Sequence, residues 1–166
     1  MVEAPKDYVK IEPLPDEEGG DRDERRYAAQ LYGYWSQLRG KRLFPSEDVL
    51  NPEAIAHIWP HCFLIQVNDL KNRKRADFTY LGSEILRVYH DLLSLEDTGD
   101  FISPSTSHLS QNFWQVIETH KPIMQSGQFV TSRGNLIKFR QCLLPLGKVD
   151  SDVEAIFGCA RLKLYP

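Results

Sequence analysis

His57, His61 and Cys62 fall inside one six-residue window and are the densest set of histidine and cysteine side chains in the chain. Zinc takes four nitrogen or sulfur ligands in a tetrahedron. The other candidates, His90, His108, His120, Cys142 and Cys159, are scattered and none is paired at ligand spacing. Pro60 also breaks the i, i+4 helical relation between the two histidines. The window therefore reads as a loop leading into a buried cysteine, and no metal is assigned. His120 lies on the apolar stripe of a helix near its C-terminus. It is read as a core-edge imidazole favoured by the helix dipole; the sharper alternative is a cavity group that contacts a ligand or serves as an axial haem ligand. Nothing else points to haem, so the cofactor stays unknown.

No nucleophile–His–acid spacing, glycine-rich phosphate loop, H-E-x-x-H or paired-carboxylate motif is present. Gln141 and Gln128 are the polar groups expected on the inner face of the strands, with no acid beside them. Glu84 and Arg87 flank the expected cleft as solvated charges. The chain is read as non-enzymatic.

Composition narrows the class. The 166 residues carry 42% hydrophobic and 11% aromatic side chains with a net charge of −3, which suits one globular domain and argues against a general phosphate-backbone binder. The basic run Lys71-Asn72-Arg73-Lys74-Arg75 sits in a strand connector and reads as a solvated loop. Cys62, Cys142 and Cys159 all lie in apolar runs, so they read as reduced thiols used as small core residues. No apolar run approaches the ~18 residues of a membrane helix. The expectation is a soluble cytoplasmic protein with no nucleic-acid or membrane partner.

These side chains are positioned by elements that the patterning marks out. Residues 1–22, with five Pro or Gly and the acidic Asp16-Glu17-Glu18, read as a flexible leader, and residues 23–166 as a single domain. A helix is expected over residues 23–40, where Tyr27, Leu31, Tyr34, Trp35 and Leu38 form one aromatic stripe and Gly40 stops the turn. That stripe covers the sheet or pairs with a partner or second copy. Asn51-Pro52 reads as a cap opening a short helix to Ile58. Cys62 to Asn68 is apolar on both faces, a central strand; residues 76–81 form its half-buried partner, with Phe78 and Tyr80 alternating against Asp77 and Thr79. Short and longer helices follow at residues 83–89 and 105–121. Three runs, residues 123–131, 136–146 and 153–164, complete the strands, and the last is again apolar on both faces. The class is α+β: a five-stranded antiparallel sheet of order 2-1-5-4-3, helices inserted after strand 2, and an N-terminal aromatic helix. A cavity between sheet and inserted helices would be lined by Phe78, Tyr80, Ile85, Tyr89, Phe113, Ile117, His120 and Gln141.

The motifs are more specific than the class. Leu31-Tyr32-Gly33-Tyr34-Trp35, Arg39-Gly40-Lys41-Arg42, Pro45, Asn51-Pro52, Ile55 and Trp59-Pro60 resemble the amino-terminal signature of a bacterial PAS-like family of small stand-alone proteins, typical of alphaproteobacteria. Phe78-Thr79-Tyr80-Leu81-Gly82-Ser83-Glu84-Ile85, Cys142-Leu143-Leu144-Pro145-Leu146 and Ile156-Phe157-Gly158 resemble its later strands and first cleft helix. The chain departs from that pattern at Tyr80, where relatives often carry a basic residue, and at Tyr89-His90-Asp91, where they tend to carry a glycine pair. Both departures fall beside the expected cavity, so a ligand shared by relatives does not carry over. The resemblance implies a PAS fold and a sensory or regulatory module with no catalytic residues to transfer. Such a module would bind a small apolar ligand, a signalling protein or a second copy; the alternatives are an adaptor with a filled core and a small cavity enzyme.

Overall fold

The computed structural model describes residues 9–11, 22–68, 75–92, 112–131 and 133–165. The doubly apolar run after Pro60 forms strand β2 (Cys62–Asn68), and the last run forms β6 (Ala155–Tyr165). They are antiparallel neighbours, with Cys62↔Cys159 through Gln66↔Ala155 in register. Both need cover on two faces, and both obtain it: Cys62, Phe63, Ile65, Ile156, Phe157 and Ala160 are fully buried. Strands β3 (Arg75–Leu81), β4 (Ile123–Val130) and β5 (Leu136–Leu146) flank them, and every one of these pairings is antiparallel. The expected five-stranded order is therefore found as β3-β2-β6-β5-β4. A further strand, β1 (Val9–Ile11), runs parallel along β4 from Val9↔Ile123 to Ile11↔Gln125, so the described residues form a six-stranded sheet. This strand lies inside the expected leader; the rest of that stretch up to residue 21 lies outside the described residues, as does the basic run 71–74.

Helix α1 (Arg22–Arg39) ends where Gly40 takes a φ of +57°, the left-handed turn that glycine adopts without penalty. Its stripe is spent on the sheet. Leu31 and Trp35 are fully buried, and the Trp35 indole N–H donates to the Pro145 carbonyl at 2.8 Å. Of the five residues considered for a partner or dimer surface, Leu31 and Trp35 are therefore committed within the chain, and Tyr27, Tyr34 and Leu38 are half-buried beside them.

The connector to β2 is built of 3₁₀ turns, Glu47–Val49, Pro52–Ile55 and Trp59–His61, rather than a helix reaching Ile58. The expected cap is present: Asn51 Oδ1 accepts from the Glu53 N–H at 3.1 Å. Gly82, at the end of β3, donates to the Cys62 carbonyl, and a Cβ there would lie 2.2 Å from the Pro60 oxygen. Only glycine lets the chain pass this point into helix α2 (Ser83–Leu92). Of the long helix expected over residues 105–121, the described part is α3 (Phe113–Thr119). Helices α2 and α3 pack on β6 and β5 and bring Ile85, Phe113 and Val116, all fully buried, into the common core.

Register assigns each residue a face. Cys62, Leu64, Phe157, Cys159, Cys142 and Leu144 share the outer face, where Tyr27 of α1 sits on Arg161. Phe63, Ile65, Ile156, Gly158, Ala160, Leu143 and Gln141 share the inner one. The expectation that Phe78 and Tyr80 line one face fails. Leu64 pairs with Tyr80 but Ile65 pairs with Phe78, so Thr79 is an extra residue, a β-bulge that turns the two rings to opposite sides.

Candidate functional site

The inner face is assembled around two glycines opposite two phenylalanines. Gly158 is paired with Phe63, and a Cβ on it would come within 2.1 Å of the Phe63 ring. Gly127 is paired with Phe139, and a Cβ there would reach within 2.6 Å of that ring. Each ring thus lies flat across a neighbouring strand, which neither could do beside a larger residue. Phe78 meets Phe63 edge-on, with centroids 6.1 Å apart and planes at 81°.

One polar side chain is fixed among these apolar groups. Gln141 is 1% exposed, and its Nε2 donates to Gln125 Oε1 at 2.9 Å across the β5–β4 pair. A buried amide costs roughly 1–3 kcal/mol when left unbonded, so its partners hold it in one orientation. Among the described residues no buried side-chain nitrogen or oxygen lacks a partner. Gln128, expected beside Gln141, is paired with Lys138 and points to the outer face, exposed; the inner amide partner is Gln125 instead. A count of two from Gln125 to Gly127 along an alternating strand could have revealed it, had the strand's phase been fixed by Gly127.

The other expected lining residues divide. Ile85 and Phe113 belong to the buried core, Ile117 is partly buried and packs against it, and Phe78, also partly buried, packs against Phe63 on the inner face. Tyr80 packs against the core from the outer face instead: it stacks on Trp59 at 4.4 Å, and its hydroxyl donates to the Trp59 carbonyl at 3.0 Å. Partial burial, with Cys62 nearby, raises the Tyr80 phenol above its ordinary range. His120 is not on a helical stripe. It terminates α3 in the left-handed conformation, φ 59°, because the helix must turn before Pro122, and its ring stacks on Phe44 at 6.1 Å. The side chain of Tyr89 lies outside the described residues. Glu84 and Arg87 bond each other, Nη2 to Oε2 at 2.7 Å, and the Arg87 hydrogen bond holds the Glu84 carboxyl below its usual range.

At the sheet end covered by α1, His61 and Arg161 meet although 100 positions apart. The Arg161 guanidinium lies 4.8 Å above the Tyr27 ring, and its Nη1 is 3.4 Å from His61 Nε2. Burial, then the Arg161 charge, lowers the His61 pKa, so the ring is neutral at pH 7 and can accept from the guanidinium. His57 and Cys62 turn elsewhere: His57 to Gln30 at 2.6 Å, and Cys62 Sγ to the Ile58 carbonyl at 3.3 Å. The three residues of that window therefore do not converge on a common point.

No curated protein matches the chain. Residues 24–161, from α1 through most of β6, match the PAS domain family. With the β3-β2-β6-β5-β4 order and the helices inserted after β3, that match establishes that the chain belongs to the PAS domain family.

Proposed function

We propose that this PAS domain is a non-enzymatic sensor whose inner face takes a small, largely apolar ligand with one hydrogen-bonding group. Membership of a family of sensory and regulatory modules supports the general role. The observation that carries the specific reading is the Gln141–Gln125 amide pair, with Gln141 buried and Gln125 half-buried on an otherwise apolar face. Ligand sites are mostly apolar surfaces with a few fixed polar groups that set orientation, and this pair supplies both a donor and an acceptor. Occupancy of the inner face would alter the sheet on which α1 rests, through Trp35 and Pro145, and so change what a partner protein or second copy meets.

Native mass spectrometry of protein purified from cells tests this. The expected result is a co-purifying small molecule that is lost from Gln141→Leu while the variant keeps its fold. An unliganded wild type, together with a Gln141→Leu variant more stable than wild type, would instead show a core closed by its own side chains. The protein would then be an adaptor.

A further inference from the structure

The two edges of the sheet are built differently. β3 carries Arg75 and Asp77 and is bent by the bulge at Thr79, devices that keep an edge strand from pairing with another chain. β4 has none of them. Its eight residues include no charge and no proline, and its register with β5 is unbroken from Ile123 to Val130. β1 covers only the first three of these residues, ending at Ile11↔Gln125. Among the described residues no strand pairs with this edge beyond that point.

The ladder fixes which backbone groups the open stretch presents. The Thr131 N–H donates to the Asn135 carbonyl at 2.8 Å, and hydrogen-bonded pairs alternate along an antiparallel ladder. Residues 125, 127 and 129 therefore turn their backbone groups to β5, and Ser126, Gln128 and Val130 turn theirs away from the sheet. Gln128 is exposed, and Val130 is 63% exposed. Three outward residues at alternate positions are their own complement. Against an antiparallel copy centred on Gln128, Ser126 meets Val130, Gln128 meets its own equivalent, and every N–H faces a carbonyl.

We infer that residues 126–130 of β4 pair antiparallel with the same residues of a second copy, joining two sheets across a two-fold axis at Gln128. A residue on such an axis meets itself, which penalises a charge. A carboxamide carries both donor and acceptor and can bond its own copy. Lys138, beside Gln128 on β5, would stand three strand spacings from its equivalent, about 14 Å, beyond the ~8 Å Debye length of physiological salt. This self-complementarity favours a second copy over an unrelated extended peptide. The inference is independent of any ligand on the inner face, and it leaves the stripe of α1 on the sheet.

Sedimentation of the full chain over a range of concentrations tests it. The variants are Gln128→Lys and Gln128→Glu, with Val149→Lys and Val149→Glu on the exposed β5–β6 turn as charge-matched controls. The expected wild type is a reversible dimer with a Kd on the order of 10–100 μM, as suits a contact below the standard interface size. Each Gln128 variant should associate about tenfold or more weakly, because like charges then meet on the axis. An equimolar mixture of the two should recover the dimer, since Lys then faces Glu. The Val149 variants should dimerise as the wild type does, and their mixture no more tightly. Exchange of the 126, 128 and 130 amides should slow as protein concentration rises. A wild type that stays monomeric, whether or not an extended peptide binds along β4, would overturn the inference. So would Gln128 variants that dimerise normally, a mixture no tighter than its components, or an equal loss in the Val149 variants.

Discussion

Three sulfurs lie side by side in this protein. Cys62 of β2, Cys159 of β6 and Cys142 of β5 occupy one row across adjacent strands, all buried on the outer face. Their use as small core residues was readable from the apolar runs around them; their alignment was not, because it depends on the register of strands nearly 100 residues apart. The hydrogen bond to Cys62, then burial, pushes the Cys159 thiol well above its ordinary range; burial, then Cys159, does the same to Cys142. A thiol pKa raised by folding stabilises the native state below the unfolded thiol's pKa, and that stability is lost as pH rises past about 9. The urea midpoint should therefore fall above pH 9, and less steeply in Cys142→Ala, which should also be less stable at pH 7 by about 1 kcal/mol from the lost packing. Equal slopes in the two proteins would mean that Cys142 does not carry the effect.

The elements were legible wherever a single strand or helix had to satisfy its own burial. β2 and β6 were readable as central because both faces of each run are apolar, and Gly40 and Asn51 marked real ends. What escaped was local geometry imposed by neighbours. The bulge at Thr79 has no glycine to announce it and arises from the pairing of β3 with β2. The His61–Arg161 contact and the Gln141–Gln125 pair exist only once strand order and phase are set. Strand β1 pairs through three residues of a proline-interrupted stretch, too short a run to show alternation. The glycines of the inner face illustrate how such pairing is enforced. Gly158→Ala would drive a methyl into Phe63, and the expected loss is about 1–3 kcal/mol in urea unfolding, the usual cost of overpacking. Phe63→Leu should restore part of it in the double variant, since the shorter side chain vacates the Gly158 position. Additive losses would show that Gly158 is needed for its backbone instead.

At the scale of the molecule, the neighbour of the first central strand is the last strand to be made. Gln66 Nε2 reaches the Glu154 carbonyl across 88 positions, and the β2–β6 ladder closes the sheet between them. Pairing of that separation must overcome a large loop-closure entropy before any contact offsets it, so the sheet's centre forms and opens as a unit. Hydrogen exchange should resolve that hierarchy. Amides at the centre of the sheet, in residues 63–66 of β2, 155–159 of β6 and 141–143 of β5, each flanked by a paired strand on both sides, should exchange only through global unfolding. Those of β1, held by three residues on the β4 edge, should exchange fastest of the strands, and the outward amides of β3 should follow. A ligand on the inner face would slow β2, β5 and β6 together with α2 and α3. If β3 instead exchanges as slowly as β6 in the isolated protein, its edge is covered in solution, and a second copy adding a strand there becomes the better account of how this domain associates.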